Sequence, residues 1–226
     1  MGPLVATYVC GFLLLALSLL VGRGALLLFG RRRASFIEGG VGIAVLVLGC
    51  SVAIRLPGRE KTSLALIVLL ALGAAAVLLW KRDRVLGPNV GIAIAPAFVT
   101  VLLVSFPFLS SGHLGLPGVG VNNDMAMHLV FAEWLIEPVG ATPPGILQGY
   151  PIGPQALVTT LTWALGSEPL RGFVGLILAI PVLIAIASLA ILRDLRPGAR
   201  ILGAAFVPVA YLSASVLGIA GFKEQL

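Results

Sequence analysis

The 226-residue sequence predicts an all-α fold, a polytopic membrane helical bundle, and three observations carry that expectation. Hydrophobic residues make up 59% of the chain and charged residues only 11%, with a mean hydropathy of +1.09. An average soluble domain is roughly a quarter charged. The apolar residues fall in blocks close to the about 20 residues that a helix needs to cross a hydrocarbon core of roughly 30 Å. The bases are gathered between these blocks, in short connections. No water is available at membrane depth, so each block must satisfy its own backbone, and at this length that means a helix.

Six segments qualify as predicted spans, taken in chain order. They run from about Leu4 to Val21, Gly39 to Ile54, Ser63 to Trp80, Val90 to Leu109, Gly172 to Leu192, and Ile201 to Gly221. The first has no basic residue ahead of it and no small-residue cleavage site behind it, so it reads as a retained helix rather than a signal peptide. No ionisable residue lies well inside any of the six segments, which argues against the proton and ion pathways of a transporter. Interrupted helices in two matching halves, the mark of inverted repeats, are also missing. Cys10 and Cys50 both fall within predicted spans and suit small apolar packing positions better than a disulfide or zinc framework.

Ten of the fifteen Lys and Arg residues follow the first, third and fifth segments, and the net charge of +6 is concentrated there. Such bases mark cytoplasmic connections, a topology signal rather than a binding surface, and give no reason to expect nucleic acid. The longest connection, residues 110–170, has no Lys or Arg but holds Asp124, Glu133, Glu137 and Glu168. It is therefore expected outside the cytoplasm, and the chain is expected to be a multi-pass plasma-membrane protein.

A connection that long tends to be functional or to carry structure of its own. Asn122 or Asn123 can cap a helix running from Asp124 to about Ile136. Asp124, His128, Phe131 and Leu135 share one face of it, with Glu133 nearly opposite. A second helix opens at Pro154, where the missing N–H costs little, and runs through "QALVTTLTWAL". Both helices are short and mixed in polarity, so the sequence places them along the membrane surface, with Trp134, Tyr150 and Trp163 at headgroup depth. On local chemistry alone, Asp124 favours the helix dipole and His128 pairs with it four residues on. A metal would need a third ligand, for which only His113 offers itself, so no cofactor is expected.

The motifs "NNDMAMH" and "GYPIGP", set between an outgoing and a returning span, resemble the first half of the GT-C class of membrane glycosyltransferases. The similar part covers residues 88–226, and three further spans in residues 1–87 precede it. The sequence stops at "GFKEQL" directly after the sixth segment, which would make it a fragment of a longer member of that class. The resemblance implies sugar transfer from a polyprenyl-phosphate donor to a hydroxyl of a glycan, lipid or protein on the extracytoplasmic face of the cell envelope. It implies that Asp124 is the catalytic base, since the class keeps a carboxylate there, and that His128 positions it or meets substrate. Asn123, Tyr150, Arg171 and Lys223 are the substrate-binding candidates, the two bases facing the lipid phosphate. Another enzyme of lipid-linked sugars, of polymerase or ligase type, is the nearest alternative. A non-enzymatic transporter or structural subunit is the other.

Overall fold

In a computed structural model of the protein, residues 2–85, 90–111 and 124–210 are described. They form nine α-helices and one 3₁₀ turn, without a strand. In order, the helices are α1 (Pro3–Leu28), α2 (Glu38–Ala53), α3 (Glu60–Lys81), α4 (Val90–Ser111), α5 (Asp124–Ile136), α6 (Pro144–Leu147), α7 (Gly153–Ala164), α8 (Pro169–Ile191) and α9 (Pro197–Phe206). All six predicted spans have a helical counterpart, but among the described residues three helices, α1, α3 and α8, are both long and apolar enough to cross a membrane. With 16 residues, α2 is shorter than the roughly 20 needed. Helix α9 tightens into a 3₁₀ turn at Val207–Val209, and the rest of the sixth predicted segment lies outside the described residues.

Helix α1 is the hub of the bundle, packing on α2, α8 and α3. Its buried stripe of Thr7, Cys10, Gly11, Leu14, Ser18, Val21 and Gly22 repeats at helical spacing. Small residues set the approach. A Cβ on Gly22 would fall on the carbonyl oxygen of Glu38, and one on Gly42 would fall on that of Ser18. A Cβ on Gly24 would come within 2.5 Å of the Ala74 methyl of α3, and one on Gly11 within 3.1 Å of the Gly175 carbonyl oxygen of α8. Backbones this close are the packing mode of helices whose surroundings are already apolar, where large side chains bring no hydrophobic gain from pairing. The outward faces agree: Phe12, Leu48, Leu69, Leu72, Phe98 and Phe106 are all exposed. Apolar cover this broad is what a membrane protein presents.

The connections sort to two ends. Arg23 in the penultimate turns of α1 reaches Asp83 after α3, and Arg200 at the start of α9 stacks on Phe36 of the α1–α2 connection, 5.2 Å from its centroid. The three base-rich connections therefore meet at one end. At the other end, Tyr8 donates to Ser105 Oγ at 2.9 Å, tying the start of α1 to the end of α4. Helix α5 reaches that same end through the α2–α3 connection, described below.

Two sequence expectations change here. Helix α1 continues past Val21 to Leu28, which takes Arg23 into a helix interior, fully buried. The sequence placed no charge there because the apolar run stops at the arginine. Helix α7, expected to lie with one face in the interface, is instead buried at ten consecutive positions from Gly153 to Thr162, against α2, α3, α5 and α8. Its polar side chains permit this because Thr160 donates to Ala156 O at 2.7 Å and Thr162 to Val158 O at 2.9 Å. Hydroxyls bonded back onto their own helix can be buried without cost to an outside partner.

The close contact at Gly22 makes a direct prediction. Gly22→Val must push α1 and α2 apart and should destabilise the detergent-purified protein by about 1–3 kcal/mol or more. Gly73→Ala, in open space on α3, should leave it unchanged or raise stability by roughly 0.5–1 kcal/mol. Thermal unfolding followed by helical circular dichroism compares the two.

Candidate functional site

The two sequence motifs meet in the buried layer made by α5, α7 and the start of α8. His128 of α5 is fully buried, and its Nδ1 lies 2.7 Å from the side-chain Nε2 of Gln155 in α7. The amide nitrogen can only donate, so Nδ1 is the acceptor in this contact. Around this pair, the His128 ring stands 6.3 Å from Tyr150 and 5.9 Å from Phe173 of α8. Tyr150 in turn packs edge-on against Phe131 at 5.2 Å. Thr159 Oγ1 donates to the Ala132 carbonyl at 3.4 Å, a second polar tie between α5 and α7.

The face assigned to α5 by spacing holds for its described members. His128, Phe131 and Leu135 are buried together, and Glu133 is exposed opposite them. The side chain of Asp124 lies outside the described residues, as do Asn122, Asn123, His113 and Lys223. Asp124 itself is the first residue of α5, one turn before His128. Arg171 sits in the first turn of α8, two residues ahead of Phe173, with its Nε 3.6 Å from a carboxylate oxygen of Glu168. No group of three or more His, Cys, Asp or Glu side chains able to hold a metal occurs among the described residues.

The sequence did not single out three residues that build this layer. Gln155 opens the quoted "QALVTTLTWAL" stretch, and the lone amide of that helix is a usable signal. Phe173 had none, being one apolar residue in a span. Arg59 also had none, since it belongs to the α2–α3 connection, 75 positions before its partner. Its guanidinium donates from Nη2 to the Trp134 carbonyl at 3.2 Å and lies 5.0 Å over the Trp134 ring. This caps an orphan carbonyl in the last turn of α5 and adds a cation–π contact. Arg59 holds φ at 45°, a left-handed value for a non-glycine residue. Such backbones cost about 1–3 kcal/mol and persist where surrounding contacts over-determine them.

An open cleft of about 470 Å³ lies on the other face of α5, lined by Glu133, Trp134 and Glu137 with Pro143 and Pro169. Neither His128 nor Gln155 lines it. The buried polar pair and the open cleft thus occupy opposite sides of one helix. Chemically, the first can orient a group near the start of α5, and the second offers carboxylates and an aromatic wall.

Removing the amide tests the His128 tie. Gln155→Leu leaves the buried Nδ1 without its donor and should cost about 1–3 kcal/mol of stability. The double change His128→Leu with Gln155→Leu should lose clearly less than the sum of the two single losses in thermal unfolding, because two apolar groups replace a matched polar pair. Additive losses would mean the contact contributes nothing.

Comparison with known proteins returns no family model, no curated protein and no solved structure that matches this chain.

Proposed function

We propose that this chain is a membrane glycosyltransferase of GT-C type, moving a sugar from a polyprenyl-phosphate donor to an acceptor hydroxyl on the extracytoplasmic face. The observation that carries the reading is the His128–Gln155 contact at 2.7 Å. It ties the last residue of "NNDMAMH" to the residue directly after "GYPIGP", in a layer at the end of the bundle away from the base-rich connections. All six apolar segments are taken as spans in this reading, with residues 110–170 outside.

In the proposed reaction Asp124 accepts the proton of the acceptor hydroxyl as its oxygen attacks the anomeric carbon. The new glycosidic C–O bond forms while the bond from that carbon to the phosphate oxygen breaks, and the electron pair leaves with the polyprenyl phosphate. Cations must meet the charge that grows on that leaving group. Arg171 and Lys223 are the candidates from the sequence, and Arg59, beside α5, joins them. His128, one turn after Asp124, is the donor proposed to orient it, its own ring held by Gln155. Tyr150 and Asn123 complete the substrate contacts in this scheme. Nothing in it requires a metal.

Asp124→Asn keeps size and capping ability but removes the proton acceptor. It should reach membranes at the normal level and lose about 10²- to 10⁴-fold in sugar transfer from a polyprenyl-phosphate donor. If Asp124 serves only the helix dipole, the change would cost about 0.3–1 kcal/mol of stability and leave the rate near its original value. Orientation is tested separately. In a variant lacking Cys10 and Cys50, a cysteine at Ser111 should react with a membrane-impermeant thiol reagent applied to intact cells, and one at Arg84 should not. The opposite pattern would put the long loop in the cytoplasm and end the transferase reading.

A further inference from the structure

The end of the bundle opposite α5 and α7 is built around Arg23. Its Nη2 donates to the Arg32 carbonyl at 2.7 Å and to Asp83 Oδ2 at 2.5 Å, and its Nη1 donates to the Arg31 carbonyl at 3.3 Å. Glu38 Oε1 stands 3.8 Å from Nη1 and is itself bonded by the backbone and hydroxyl of Ser35. One buried guanidinium therefore holds the backbone of the α1–α2 connection and the segment after α3 in a fixed relation.

The clamp binds main-chain carbonyls at residues 31 and 32, so those arginines keep their own side chains outward. Residues 31–33, all arginine, are exposed, and so are Lys81, Arg82 and Arg84 from the next connection. Arg193 and Arg196 join them from the third, carried to the same end with the α8–α9 turn, whose neighbour Arg200 stacks on Phe36. Few acids offset these bases: Asp83 and Glu38 are engaged by Arg23, and Asp194 faces Arg193 at 3.8 Å.

Directly beside the bases, Leu28, Phe29, Trp80 and Ile191 are 66%, 89%, 73% and 82% exposed. Lys81 Nζ lies 3.9 Å over the Trp80 ring. A soluble polyanion would neutralise the arginines and leave these apolar side chains in water. A lipid leaflet would cover them with acyl chain while its headgroups meet the bases, the arrangement of aromatic and basic residues at a membrane interface.

We infer that this end is a binding surface for anionic phospholipid headgroups, with Arg23 as the buried residue that positions its bases. The inference goes beyond topology, because it asks for recognition of headgroup charge, and it is independent of sugar transfer. Clusters of juxtamembrane bases draw anionic lipid with a gain of about fivefold in affinity per base.

The test uses the full chain purified in neutral detergent, titrated with phosphatidylglycerol or phosphatidylcholine while its unfolding temperature is followed. Phosphatidylglycerol should raise that temperature at low salt and much less in high salt, where surface charges are screened. Phosphatidylcholine should not. Replacing Arg31, Arg32 and Arg33 together by Gln leaves the core intact and should move the phosphatidylglycerol midpoint by roughly 100-fold. Arg23→Gln should weaken the response although every exposed base remains. Equal stabilisation by the two lipids, or an unchanged midpoint in the triple variant, overturns the proposal. So does an equal shift produced by a short oligonucleotide. If Arg23→Gln fails to fold, the triple variant and the lipid comparison still decide.

Discussion

The backbone contact between α1 and α2 at Gly22 and Gly42 is the constraint from which the remaining arrangement follows. Each glycine sits over a carbonyl one turn back on the opposite helix, Glu38 for one and Ser18 for the other. That reciprocal fit admits one register and one antiparallel alignment. It brings Glu38 beside Arg23, and it leaves the remaining faces of α1 to α3 and α8, where Gly24 and Gly11 repeat the same device. Dispersion contacts between closely spaced backbones, rather than withdrawal of apolar surface from water, hold such helices together.

The two ends of the bundle solve different electrostatic problems. At the basic end, a guanidinium fully removed from solvent is matched by Asp83, by Glu38 and by two carbonyls. Taking a charge out of water is tolerable only with partners of that number and geometry. At the other end the fully buried polar side chains include an imidazole and an amide, paired within an aromatic surround of Tyr150 and Phe173. A neutral polar pair costs far less to bury than an unmatched ion.

Much of the architecture was legible because it depends on local chemistry. Runs of apolar residues marked every long helix, and Pro154 with the Asn122–Asn123 pair marked where the two loop helices begin. The spacing of His128, Phe131 and Leu135 identified the inward face of α5. What was not legible depends on partners distant in the chain. Arg23 looked like a flanking base because its acids lie 15 and 60 residues away. Helix α7 looked interfacial because its threonines were counted as polar, whereas their hydroxyls are spent on their own backbone. Arg59 carried no local hint of Trp134, and the pairing of His128 with Gln155 required two motifs to be brought face to face. Hydropathy reports what each segment avoids; it does not report which segment it meets.

The enclosure of α7 also sets an order of events during biogenesis. Its walls come from both directions along the chain: α2 and α3 are synthesised before it, and α8 after it. While α7 is emerging, the side formed by Gly172 of α8 against Val158 and Thr162 does not yet exist. Its Gln155 and its apolar positions must wait, partly uncovered, until α8 has entered the bilayer. Completion of the His128 layer is therefore a late step of assembly, gated by insertion of a downstream helix rather than by folding of the loop alone.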